Sequence, residues 1–183
     1  MNDKTSEATA GVGNRTVVLR RRLRGFTWFV IAGLVASGAT AMPLSQEVSW
    51  LASVFGAGVG PANSGHGPMA AWLAKVQAAL LDANTRYPYL FYGVDWLAFG
   101  HFAIALAFIG PLRDPARNIW IYEFGMLASV LVIPFAFVMG EVRGIPMFWR
   151  LIDCSFGAGA FFPLLMCRRW AAELERIERR SEN

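Results

Sequence analysis

Four runs of apolar residues, each close to the 20 or so that a helix needs to cross a bilayer, constrain this chain more than any other feature. They cover Phe26–Leu44, Leu90–Leu112, Ile119–Met139 and Met147–Cys167. Peptide groups inside hydrocarbon must be satisfied within the segment or in a closed barrel. The alternation of polar and apolar residues that marks barrel strands is missing, so the runs predict helices. The fold class expected is an all-α integral membrane protein: a four-transmembrane-helix bundle with an extracytoplasmic amphipathic helix between spans one and two.

Charge sets the orientation. Charged residues make up 16% of the chain, against about 25% in an average soluble domain, and most lie between the apolar runs. The first flank carries Lys4, Arg15, Arg20, Arg21, Arg22 and Arg24. The connection between spans two and three carries Arg113 and Arg117, and the last flank carries Arg168, Arg169, Arg176, Arg179 and Arg180. The alternate loops hold only Lys75, Arg86 and Arg143. Basic residues accumulate on the cytoplasmic side, which predicts a bacterial-type inner-membrane protein with both termini cytoplasmic. A net charge of +4 spread in this way flanks a membrane and forms no aromatic-laced groove, so nucleic acid is not an expected partner. The first span is read as retained and not as a cleaved leader, because its apolar run is long and its small residues continue through the middle.

Three regions follow. Residues 1–24 are polar and basic and predict a disordered cytoplasmic tail. Residues 25–167 form the membrane domain, with 45–89 outside. Residues 168–183 predict a charged helical tail continuing span four, with acid–base pairs at helical spacing. The short turns at 113–118 and 140–146 make spans two, three and four successive antiparallel neighbours, whereas span one is free. Within 45–89, glycines and prolines from Gly56 to Pro68 form a loop that also holds His66. Met69, Trp72, Leu73, Val76 and Leu80 then recur at helical spacing, an amphipathic pattern suited to a membrane surface or to a cap on the bundle. Val48–Phe55 forms a second short candidate, anchored by Trp50.

Ionisable residues inside spans are costly and mark interiors or wet cavities. Counting at the helical rise, Asp95 lies about 8 Å from the outer end of its span, Arg150 about 5 Å and Asp153 about 9 Å. Glu141 and Arg143 occupy the turn at the same mouth, where Trp96 and Trp149 add aromatic walls. Asp95, Trp96, Glu141, Arg143, Trp149, Arg150 and Asp153 therefore make a candidate ligand-binding cluster. The expected occupant is a membrane lipid or lipid-like molecule, or a partner membrane subunit; a homo-oligomer through small-residue faces is the related alternative. Arg150 and Asp153 share a face and predict an ion pair that Asp95 joins. Arg150 would keep both acids ionised, which argues against a proton-sharing dyad. Asp95, His101 and Asp153 are the candidates if the protein is a membrane enzyme working on an amphiphile by acid–base chemistry. Asp95, His101 and Glu123 are staggered through the bilayer and suit a proton relay if it conducts protons or small ions.

No metal centre and no cofactor is predicted. A second intramembrane histidine for a bis-histidine haem is missing, as is any i, i+3 carboxylate–histidine pair. Cys154 and Cys167 lie about 20 Å apart along one helix, too far to bridge, and no C-x-x-C occurs. Small residues in span one (Ala32, Gly33, Ala36, Ser37, Thr40) and a Ser155-x-x-x-Gly159 pair in span four predict close helix contacts.

Overall fold

The computed structural model describes residues 2–57 and 67–182. The glycine-rich loop at 58–66, including His66, lies outside the described residues. Among the described residues every element is helical. Helix α1 spans Asn2–Ala41, α2 Leu44–Val54 and α3 Pro68–Arg86; a 3-10 turn at Pro88–Phe91 leads into α4, Tyr92–Ala107. The short α5 covers Ile109–Arg113, followed by α6, Ile119–Val142, and α7, Met147–Glu182. Four segments are long and apolar enough to cross a membrane: Gly13–Ala41, Pro88–Arg113, Ile119–Val142 and Met147–Arg180. This is the architecture of a multi-pass membrane protein. Large apolar side chains such as Phe135, Phe156, Leu106 and Val142 are exposed, as a hydrocarbon solvent allows and water does not.

The elements end where backbone chemistry requires. Pro43 follows α1 and caps α2, so the first span stops at Ala41 and Leu44 begins a new helix. Pro111 lacks the N–H that would reach the Ala107 carbonyl. The second span accordingly breaks at Phe108, between α4 and α5, where the sequence predicts one continuous helix. The turn after α5 is tied by the Arg117 N–H donating to Asp114 Oδ1 at 3.1 Å and by Asn118 Nδ2 donating to the Asp114 carbonyl at 2.8 Å. Gly110 lets Asn118 approach, for a Cβ there would lie 3.0 Å from Asn118 Oδ1.

The chain divides into two compact units. Met1–Ala32 and Ala105–Asn183 form one; Gly33–Ile104 form the other. In the larger unit α6 and α7 are an antiparallel hairpin whose backbones nearly touch. A Cβ on Gly157 would lie 2.6 Å from the Ser129 carbonyl oxygen, while Gly159 has nothing within 4 Å. The expected Ser155/Gly159 pair is therefore not the contact; Gly157 is, because it is the small residue whose angle on α7 faces α6. Farther along, Gly125 admits Leu164 and Phe108, and Phe108 also meets the Tyr122 ring.

The N-terminal part of α1 belongs to this unit. Leu19 and Leu23 are buried, as are Ala171 and Leu174 of α7. Phe26 meets Trp170 edge-on at 5.1 Å, and Arg20 pairs with Glu178 at 2.5 Å. From Phe26 back to Arg20 the α7 partner moves forward from Trp170 to Glu178, an antiparallel sense, while the Arg15 side chain reaches back to Glu173. The disordered tail expected for residues 1–24 is instead helix from Asn2. From Leu19 onward the leucines between the arginines are buried, and Arg15 and Arg20 find acids on α7. Charge density alone hides this apolar stripe.

In the smaller unit α2 packs on α3. Val48 and Ala52 are buried on one side, and Ala70, Leu73, Ala74 and Gln77 on the other. Of the expected α3 stripe only Leu73 is fully buried; Met69, Trp72, Val76 and Leu80 are half-buried. Alanines let α2 approach, whereas the Trp72 ring stays at the edge beneath the Lys75 ammonium, 5.9 Å away. The end of α1 meets α4 at Gly38, where a Cβ would lie 2.8 Å from Phe102 and 2.9 Å from the Ala98 carbonyl. This contact gives span one a neighbour that the sequence leaves undetermined, and it uses Gly38 while Gly33 faces open space.

Gly157→Ala should shift α7 away from α6 and cost about 1–3 kcal/mol, the usual range for overpacking. Gly159→Ala should be neutral or stabilising by about 0.5–1 kcal/mol. Thermal unfolding in detergent checks both; equal effects at the two positions would contradict the contact at Gly157.

Candidate functional site

Of the charged cluster predicted from the sequence, Glu141, Arg143, Trp149, Arg150 and Asp153 lie at or next to the corner between α6 and α7. Helix α6 ends in a glycine-capped turn. The Gly144 N–H donates to the Glu141 carbonyl at 3.1 Å and the Ile145 N–H to the Gly140 carbonyl at 2.8 Å. Gly144 has φ +65°, the left-handed conformation that this cap requires and that glycine adopts without strain. Helix α7 starts two residues later, with the Trp149 and Arg150 N–H groups both donating to the Pro146 carbonyl.

Arg150 closes this corner. Its side chain is buried and lies across Gly140, where a Cβ would be 2.6 Å from Arg150 Cδ and Nε. Nε donates to the Ile145 carbonyl at 2.7 Å, and Nη1 to Glu141 Oε2 at 2.9 Å. The guanidinium thus satisfies a carbonyl that the tight turn leaves unpaired and anchors it to the preceding helix. The expected Arg150–Asp153 ion pair does not form. The guanidinium of Arg150 is drawn back over the turn by the Ile145 carbonyl and Glu141, and Asp153 has no ion pair or hydrogen bond among the described residues. Arg143 caps α6 through its backbone N–H, and its side chain is exposed without an ionic partner among the described residues. Trp149 is half-buried.

Asp95 and Trp96 belong to the Gly33–Ile104 unit. Asp95 stands in the first turn of α4, where the helix dipole favours an anion. Trp96 packs edge-on between Tyr92 and Phe99, at 6.0 and 5.5 Å, and builds an exposed aromatic ladder on one helix face. His101 is in the same unit. Its Nδ1–H donates to the Leu97 carbonyl at 2.8 Å, so one ring nitrogen is committed to its own helix. Glu123, in the larger unit, accepts from Arg168 Nε at 2.9 Å. That ion pair joins the first turns of α6 to α7.

One buried polar group escapes the sequence reading. Thr27 and Tyr122 are both fully buried, with their hydroxyls hydrogen-bonded at 2.8 Å. Cys167, also fully buried, lies against the same threonine. These residues come from α1, α6 and α7 and fasten three helices together. The available signal is a polar residue in the opening turn of two spans and the closing turn of a third, which equal depth would have matched. Both cysteines are free thiols. Among the described residues no group of three His, Cys, Asp or Glu side chains converges to hold a metal. No known family matches the chain, and neither a characterised protein nor a solved structure is significantly similar to it.

Arg150→Met should destabilise the protein by about 1–3 kcal/mol, because it strands the Ile145 carbonyl within the corner. Glu141→Gln should cost under about 1 kcal/mol, since that carboxylate is 80% exposed and solvent screens the pair. Denaturation in detergent micelles measures both, and a larger loss for Glu141→Gln would show that the salt bridge, not the carbonyl cap, holds the corner.

Proposed function

We propose that this chain is an inner-membrane protein with both termini cytoplasmic, which binds a lipid-like amphiphile at the extracytoplasmic mouth formed around the α6–α7 corner, with α3 as a surface helix on that side. The observation that carries the reading is Asp153. It lies inside a membrane-crossing segment and has no ionic or hydrogen-bonding partner among the described residues. Ionisable residues within spans mark binding pathways or wet cavities, which favours a partner for Asp153 from outside its own helix hairpin. On the same face of α7 stand Arg150, held in place by the corner, and the half-buried Trp149, three and four residues before it. A polar headgroup with a hydrogen-bond donor would answer Asp153, Arg143 would meet an anionic part of the headgroup, and aromatic walls suit the apolar body.

Orientation draws support from the pairing of Arg15 and Arg20 with Glu173 and Glu178, which brings the two basic terminal segments to the same end. The enzyme and conduction readings have less behind them. Glu123 is held by Arg168 and His101 by the Leu97 carbonyl, and such commitments oppose proton transfer.

Membrane-impermeant maleimide applied to intact cells should label Arg143→Cys and leave Arg113→Cys unlabelled until the membrane is opened; the reverse pattern would invert the orientation. Mass spectrometry of protein extracted with native lipid should find an amphiphile enriched over bulk lipid. Asp153→Asn should lower its occupancy at least tenfold with the melting temperature unchanged. Bulk lipid in bulk proportions, indifferent to the substitution, would rule out the site. Co-purification of a stoichiometric membrane subunit lost in Asp153→Asn would replace the amphiphile with a protein partner.

A further inference from the structure

At the basic end of the larger unit, α1 and α7 border an open cleft of about 480 Å³ lined by Arg15, Arg168, Arg169, Ala172, Glu173 and Arg176. Four guanidinium groups and one carboxylate line it. Two of the cations are neutralised within the chain: Arg15 by Glu173 and Arg168 by Glu123. Arg169 and Arg176 have no ion pair or hydrogen bond among the described residues. They stand two turns apart on α7, about 10 Å along the axis, on one face of the helix. Ala172 between them is too small to fill the space. With Glu173 engaged by Arg15 and Arg168 by Glu123, the cleft keeps the excess positive charge of Arg169 and Arg176, which an anion with several acceptor oxygens would offset. Phosphate, like carboxylate, matches the guanidinium fork, and its additional oxygens can serve two arginines at once.

The depth of the cleft identifies the carrier of that phosphate. Leu164 and Cys167, in the turn before Arg168, are fully buried, and Trp170, next to Arg169 in the sequence, meets Phe26 edge-on. Aromatic residues with arginine at the end of an apolar span mark headgroup level. One heptad before Arg169 the same face of α7 carries Phe162, which is 64% exposed. A single stripe therefore runs from an exposed apolar ring to two unpaired arginines, the order in which a phospholipid presents its chains and its headgroup. Basic pockets between spans are a recognised means of holding anionic headgroups. We infer that this cleft is a binding site for an anionic glycerophospholipid, with Arg169 and Arg176 holding its phosphate and the Phe162 face carrying an acyl chain. The site is separate from the α6–α7 corner, and neither depends on the other.

The test uses the full chain in nanodiscs of phosphatidylcholine containing a minor share of phosphatidylglycerol, released for native mass spectrometry. The wild type should retain phosphatidylglycerol adducts above their share in the disc. Arg169→Gln with Arg176→Gln should reduce them at least tenfold, whereas Arg113→Gln with Arg117→Gln, an equal loss of charge in the α5–α6 region, should leave them within twofold. Equal losses in the two double variants, or none in either, would overturn the site. Arg169→Lys with Arg176→Lys keeps the charge and the helix, and should retain more than the glutamine pair but less than wild type; retention no better than the glutamine pair with helicity intact would also count against it. Inorganic phosphate supplies the second arm. If millimolar phosphate raises the melting temperature in zwitterionic micelles as much as phosphatidylglycerol does, the ligand is a soluble phosphate and the lipid assignment falls.

Discussion

Each peptide group that enters hydrocarbon must find its partner within the protein, and the arrangement of this chain follows from how it meets that demand. Where a helix runs unbroken the ladder of hydrogen bonds suffices. The difficulty lies at the ends. At the α6–α7 corner two backbone bonds around Gly144 close the outgoing helix, and Arg150 takes the carbonyl of Ile145 that remains. Gly140 makes this possible, because any side chain there would occupy the space of the arginine. A charged residue that reads from its position as a ligand-binding group is thus, in the first place, a cap for the backbone.

The same economy governs most of the polar residues between helices. Thr27 answers Tyr122, Arg168 answers Glu123, and His101 turns back to the Leu97 carbonyl. Each has one or both of its polar functions committed, which favours fixed structure over proton movement. Asp153 departs from the pattern, and that departure gives it functional weight. In a medium where solvation by water is lost, an unpaired carboxylate is a demand for a partner. The unpaired Arg169 and Arg176 stand at the other end of α7, where we infer an anionic headgroup binds.

Close packing follows a second constraint. Hydrocarbon offers no hydrophobic force between helices, so association depends on van der Waals contact and on how near two backbones can come. Gly157 against the Ser129 carbonyl and Gly38 against Ala98 and Phe102 are such approaches. Gly33 and Gly159 are equally small and face open space. Glycine content alone therefore does not locate an interface; the helical angle relative to the neighbour does.

What the amino-acid order determined by itself was the number of apolar spans, the turns between the last three of them and the asymmetry of basic charge, because each depends on local length, on proline and glycine, or on counting. The helical character of residues 168–182 was equally legible from its charge spacing. Tertiary structure decided the rest. Whether Arg150 turned to Asp153 or to Glu141 depended on where the turn left a carbonyl, and which glycine touched a neighbour depended on the crossing of two helices. Residues 15–24 became ordered helix through contacts with α7, some 150 residues away in the chain. These outcomes depend on distances between segments remote in sequence, which no local pattern of residues carries.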